Sequence, residues 1–193
     1  QVVISSGLPE VSLFALDTSS GQMDLIHKNT EQTSPIIAQN VPHYMYWSPD
    51  SQNLAFIASS EQGLTLYIYR YGKETLTFSD LGPLYFKWSG DSQSLVIHAR
   101  DKLILSKLPF SEPHIDLGPM NPIFRTPDAS PDGTTIMYLS KNAERFGLFM
   151  RGNQKQDRPS LISEMGRSAA LIRSPSGDLI AVADSRSEPH RLH

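Results

Sequence analysis

Four serines recur in near-identical settings: Ser48 with Asp50, Ser89 with Asp91, Ser130 with Asp132, and Ser174, where Ser176 takes the acidic place. Serines and carboxylates are the raw material of nucleophilic hydrolysis and of acid–base or metal chemistry. Repetition argues against that use here. A nucleophile is needed once, and no Gly-x-Ser-x-Gly elbow encloses any of the four. The aspartates belong to successive copies of one segment, so they are expected on separate structural units and not at one point. Ser-Pro-Asp-Gly is turn chemistry instead. Pro presets φ at the first central position, Asp bonds its own downstream backbone, and Gly takes the positive-φ place that follows. Trp47, Pro49, Asp50, Trp88, Asp91, Pro131, Asp132, Gly133, Pro175 and Gly177 are accordingly read as structural turn residues.

The copies begin at Trp47, Trp88, Ala129 and Arg173, at intervals of 41, 41 and 44 residues. A period of about 40–50 residues with strand-like content is the signature of propeller blades, each a supersecondary unit that needs its neighbours to bury its faces. After each turn comes a near-continuous apolar run, such as Leu54-Ala55-Phe56-Ile57 or Leu95-Val96-Ile97, as expected of a strand covered on both faces. The preceding Trp47 or Trp88 offers a broad apolar face for packing between blades.

The strands expected in the full units are 44–47, 53–59, 64–71 and 74–78; 84–88, 94–99, 102–108 and 114–117; and 122–125, 134–140, 147–151 and 160–163. Ahead of them stand strands at 1–6, 11–17 and 23–28, aligned with the second to fourth strands of a unit, and a polar lead over 30–40. Behind them stand 169–173 and 178–184, then a polar tail. The total is seventeen strands. A closed four-bladed ring needs sixteen, so the fold expected is all-β: a β-propeller region of four-stranded antiparallel blades of about 41–44 residues, part of a larger propeller. The single region 1–193 divides into a partial blade over 1–39, blades over 40–80, 81–117 and 118–164, and a partial blade over 165–193. Open edge strands on such a piece are templates for self-association.

The set Trp47-Ser48-Pro49-Asp50, Trp88-Ser89-Gly90-Asp91, Ser130-Pro131-Asp132-Gly133 and Ser174-Pro175-Ser176-Gly177 resembles the WSPDG-type repeat of TolB, the tricorn protease and the propellers of prolyl-oligopeptidase-type peptidases. The resemblance runs along essentially the whole chain. The histidine and Trp-Asp pair of a true WD repeat are absent, which favours the TolB-like type. That resemblance implies a periplasmic protein-interaction role without catalysis. Its rival is a substrate-gating propeller of a prolyl-oligopeptidase-type serine peptidase, whose catalytic domain is not in these residues. TolB's small N-terminal α/β domain likewise has no counterpart in them.

Composition narrows the partners. Seventeen basic and twenty acidic residues, net charge −3, are interspersed with no basic block, so a nucleic-acid backbone is not the expected partner. No apolar run approaches the roughly 18 residues that span a bilayer. The absence of cysteine removes disulfides, thiolate metal sites and a cysteine nucleophile, and fits a periplasmic or a cytosolic chain equally. No secretory signal opens at Gln1, and Gln-Val-Val-Ile reads as a mature or trimmed start.

The histidines, His27, His43, His98, His114, His190 and His193, are scattered, and His190-Arg-Leu-His193 reads as a polar tail more readily than as a ligand pair. Lactonase-type propeller enzymes place Glu, Asn and Asp around their axis. The corresponding starts of the inner strands here carry Tyr44, Tyr85, Phe124 and Ala170, so no metal and no cofactor is expected. What remains is a surface. Loops between blades, and those joining second to third strands, gather His43, Tyr44, Arg100, Asp101, Lys141, Arg145 and Arg167 on one face. Tyr and Arg are typical recognition anchors, and an acidic peptide or protein segment is the ligand such a face would take.

Overall fold

A computed structural model of the chain describes residues 2–5, 13–17, 22–26, 33–37, 43–61, 63–70, 75–80, 84–110, 113–119, 127–142, 145–166, 170–184 and 191–192. The described residues form nineteen β-strands and no helix. In chain order these are β1 (Val2–Ser5), β2 (Leu13–Asp17), β3 (Gln22–Ile26), β4 (Thr33–Ile37), β5 (Tyr44–Trp47), β6 (Asn53–Ser60), β7 (Gly63–Arg70), β8 (Leu76–Asp80), β9 (Leu84–Trp88) and β10 (Ser94–Ala99). They continue with β11 (Lys102–Lys107), β12 (Ile115–Pro119), β13 (Asp128–Ala129), β14 (Thr135–Asn142), β15 (Arg145–Gly152), β16 (Ser160–Glu164), β17 (Ala170–Arg173), β18 (Ile180–Asp184) and β19 (Arg191–Leu192). Five antiparallel sheets result, four of four strands in simple sequence order and a last of three, β17-β18-β19. The chain divides into two compact units, 1–82 with the first two sheets and 83–193 with the other three.

The expected total of seventeen strands is corrected by the described residues, which alone hold nineteen in five sheets, more than the four of a four-bladed ring. The segment read as a polar lead contains β4, which pairs with β3 (Ile26↔Thr33, Asp24↔Pro35). Pro35 hid it: a proline lacks the ladder N–H, yet an edge strand tolerates one. The first three strands are consequently the first to third of their sheet, not the second to fourth. The tail likewise contributes β19, paired with β18 through Ala183↔Leu192 and Asp184↔Arg191. The strand expected over 122–125 lies outside the described residues, and the innermost strand of the fourth sheet is instead β13, directly before its Ser-Pro-Asp turn.

The second unit shows why the apolar runs are continuous. Along β14 successive side chains go to opposite faces, as the period of a strand requires. Ile136 and Tyr138 pack with Val96, Leu103, Leu105, Leu117, Ala129 and Phe149, a cluster between the third and fourth sheets. Met137 and Leu139 pack with Leu148, Met165 and Val182, a second cluster between the fourth and fifth. A strand sandwiched by two sheets has no polar face to alternate with, and all of β10 is buried for the same reason. Each such Leu, Ile or Phe contributes roughly 1.5–3 kcal/mol of burial. In the first unit, Leu54 to Ala58 of β6 are equally enclosed, and Phe56 stacks on Tyr67 at 5.1 Å. The innermost strand β13 lies beside both β9 and β17, the blade-to-blade neighbourhood of a propeller.

Three outer strands carry the same irregularity. In the first, third and fourth sheets the outer pairing skips one residue, between Pro35 and Ile37, between Asp116 and Gly118, and between Leu161 and Ser163. A bulge twists an edge strand away from flat pairing and blunts it against edge-to-edge association.

Candidate functional site

The repeated turns come first, because they hold the serines and carboxylates. Ser48, Ser89, Ser130 and Ser174 each accept, at Oγ, the N–H five residues on: Asn53 at 3.0 Å, Ser94 at 3.0 Å, Thr135 at 2.9 Å and Leu179 at 3.1 Å. Three of the hydroxyls then donate to the aspartate two residues ahead, Asp50, Asp91 and Asp132. Those carboxylates also accept the N–H of Gln52 (3.0 Å), Gln93 (2.9 Å) and Thr134 (3.0 Å). The turn closes by N–H donation from the fourth residue to the serine carbonyl, at 2.8, 3.0, 2.8 and 2.9 Å along the series. That fourth residue has positive φ in every copy: Ser51 at 61°, Ser92 at 61°, Gly133 at 70° and Gly177 at 86°. The hydroxyl proton and carboxylate lone pairs that chemistry would require are engaged within the turns themselves. In Asp132 the Ser130 hydroxyl, the Thr134 N–H and the Thr134 hydroxyl hold the carboxyl well below its usual range, at about 2.

Within the second unit these turns stack on one another. A Cβ on Gly90 would sit 1.6 Å from the Pro131 carbonyl oxygen, and one on Gly177 would sit 2.8 Å from the Pro131 ring. The repeated-turn ends of the third, fourth and fifth sheets therefore share one edge of that unit, and the hairpins joining second to third strands lie at the other. The loop residues sit there. Arg100 and Asp101 form the two-residue link between Ala99 and Lys102, and Arg100 takes φ 56°. Lys141 stands near the corresponding hairpin end of the fourth sheet, its Nζ 5.8 Å from the centre of the Phe146 ring, and Arg145 opens β15 there opposite Asn142. In the first unit His43 places Nε2 2.9 Å from Ser59 Oγ, and Tyr44 packs against Tyr46 with ring centres 4.8 Å apart. Arg167 lies outside the described residues, as do Phe124, His27, His190 and His193.

The other described histidines are structural. His98 is fully buried beside Tyr85, and its Nε2 donates to the Arg100 carbonyl at 2.9 Å, supporting the hairpin. Burial raises the Tyr85 phenol above its ordinary pKa. His114 shares a 2.7 Å hydrogen bond with Ser106, whose side chain is buried and closed to a substrate. Among the described residues no three metal-capable side chains come together.

Two polar features escaped the sequence reading. Arg151 is 6% exposed, yet all its partners are carbonyls: Leu117 at 2.6 Å, Gln154 at 3.0 Å and Gly152 at 3.2 Å. Leu117 is the extra residue of the third sheet's bulge, so the fourth sheet supplies a donor to a carbonyl that the ladder leaves over. Burial raises the nearby Tyr138 phenol, and the positive charge of Arg151 works against that rise. The second feature is Asp128, 4% exposed on the innermost strand, with Oδ1 3.6 Å from Lys87 Nζ. Asp128 holds the place that Lys87 holds in the preceding copy, and a buried charge at a repeat position was the available signal.

No protein-family model and no curated protein matches the chain. Solved structures do. A WD40 domain of Toxoplasma gondii coronin aligns with TM-score 0.64 and 13% identity over 98% of this chain and 53% of its own. A structure described as TolB from Agrobacterium tumefaciens aligns with TM-score 0.61 and 16% identity over 100% of this chain and 79% of its own. One described as a 6-phosphogluconolactonase from Bacteroides uniformis aligns with TM-score 0.56 and 13% identity over 98% of this chain and 64% of its own. The chain thus spans about half to four-fifths of the length of these structures. No helix among the described residues is long and apolar enough to cross a membrane. With five consecutive antiparallel sheets whose inner strands adjoin in the second unit, the fold of this chain is that of the β-propellers.

Proposed function

We propose that the chain is a non-catalytic protein-interaction scaffold, taking a protein or peptide segment on the hairpin end of its sheets. One observation carries the reading: the side chains with chemical potential are consumed by turns at one edge, while the exposed cationic residues ride on short hairpins at the other. Arg100 and Lys141 project from tight links between strands buried on both faces, a rigid mounting that lowers the ordering cost of binding. The ligand is an acidic segment, recognised on the second unit by Arg100, Lys141 and Arg145 with Asp101 beside Arg100. Likeness to a TolB structure supports an extracytoplasmic setting, and the chain's place there is as part of a larger propeller. Fluorescence anisotropy with labelled acidic and basic peptides tests this. Acidic peptides are expected to bind the unaltered chain and to lose at least about tenfold in affinity when Arg100, Lys141 and Arg145 are all changed to Ala. Equal binding of both peptide classes, or no loss in the triple variant, overturns the assignment.

A further inference from the structure

Between the fourth and fifth sheets lie two opposite charges with unspent hydrogen-bonding capacity. Asp128 pairs across the ladder with Met137, so it shares Met137's face, which packs against the fifth sheet. Arg173 pairs with Ile180, whose face packs back against the fourth. The two side chains therefore enter one interface from adjacent innermost strands, β13 and β17. Asp128 Oδ2 is buried and has no hydrogen-bond partner, and neither do buried Nε and Nη2 of Arg173. Nε and Nη2 form one edge of the guanidinium, the fork that matches the two oxygens of a carboxylate. The remaining nitrogen, Nη1, reaches the Gly177 carbonyl at 3.5 Å, the outer limit of a hydrogen bond.

We propose that Asp128 and Arg173 close on one another, completing a charge chain Lys87–Asp128–Arg173 that ties the innermost strands of three consecutive sheets. Closure gives a charge-assisted pair to Asp128 Oδ2 and to Arg173 Nε and Nη2, three buried atoms that otherwise have no hydrogen-bond partner. It explains a departure from the repeat. Arg173 occupies the place of Trp88, which fills its interface by bulk, and a charge is admissible at that place only where the facing strand supplies the opposite one. The preceding sheet does so through Asp128. Because Lys87 holds Oδ1 from the other side, the chain also fixes which sheet follows which, a specificity that apolar packing alone does not give.

Urea-unfolding midpoints of the unaltered chain, Asp128→Asn, Arg173→Gln and the double variant test the pairing. Each single change is expected to lower the midpoint, and the double to lower it by clearly less than the two shifts combined. Strict additivity overturns the proposal. A second readout needs no variant to fold: in the unaltered chain the Arg173 Nε–H should exchange with water at least about tenfold more slowly than that of exposed Arg158. Exchange at the Arg158 rate contradicts closure. Where Asp128→Asn folds, retention of that protection in it contradicts closure too, because burial alone would then account for it.

Discussion

Gly90 stands where three of the four repeated turns have proline, and consensus reasoning would restore it. The Pro131 backbone forbids that: any side chain at position 90 begins inside the carbonyl of the next turn. Gly90→Pro is expected to destabilise the fold by about 2 kcal/mol or more, measured by urea unfolding, although it recreates the commoner sequence. Ser51 is the opposite case. It bears a side chain at φ 61° in the place Gly133 and Gly177 fill, and Ser51→Gly should stabilise by about 1 kcal/mol. Asp132 sets a pH signature. Its folded pKa of about 2 lies below the unfolded value of 3.8, so its hydrogen bonds contribute fully above about pH 4 and are lost as pH falls through 2. Asp132→Asn should flatten that part of the acid-unfolding curve, and an unchanged acid limb would show that the turn bonds do not carry it. At this scale the presence of a turn in each copy was legible, since Pro, Asp and Gly act through their own backbone, while the serine bond to the N–H five residues on was not. Gly90, Asp128 and Arg151 were not, because their reasons lie in a neighbouring sheet.

Strands that are enclosed on both faces announce themselves, and β9 and β10 carry the same limits in the sequence reading and in the structure. Two others do not: β4 holds a proline, and β19 has two residues. An edge pairs on one side only, so propensity and alternation both fade there. Three bulges in outer strands follow from the same freedom, and one of them is answered by Arg151. Replacing that residue by Lys keeps the charge but cannot reach three carbonyls with a planar fork. Arg151→Lys should cost about 2 kcal/mol, and thermal unfolding that matches the unaltered chain would show that the link between the third and fourth sheets does not depend on it.

Across the chain, the repeat period conveyed the succession of sheets, and the solved propellers carry the same fold at 13–16% identity. The hairpin-end residues were reachable from the sequence only as a set of loops, for a loop's neighbours are decided by how sheets stack. Ile172, on the face of the fifth sheet turned away from the fourth, is 64% exposed, whereas Leu171 on the other face packs against the fourth. A scaffold of this kind should meet its ligand through loops and leave its turns untouched. The direct test is a ¹H–¹⁵N NMR titration of the labelled chain with an acidic peptide. Shifts concentrated at residues 100–101 and 141–146, with the turns at 89–92 and 130–133 unmoved, are the predicted result. Shifts centred on those Ser-Asp turns, or none at the hairpins at saturating peptide, would contradict the account.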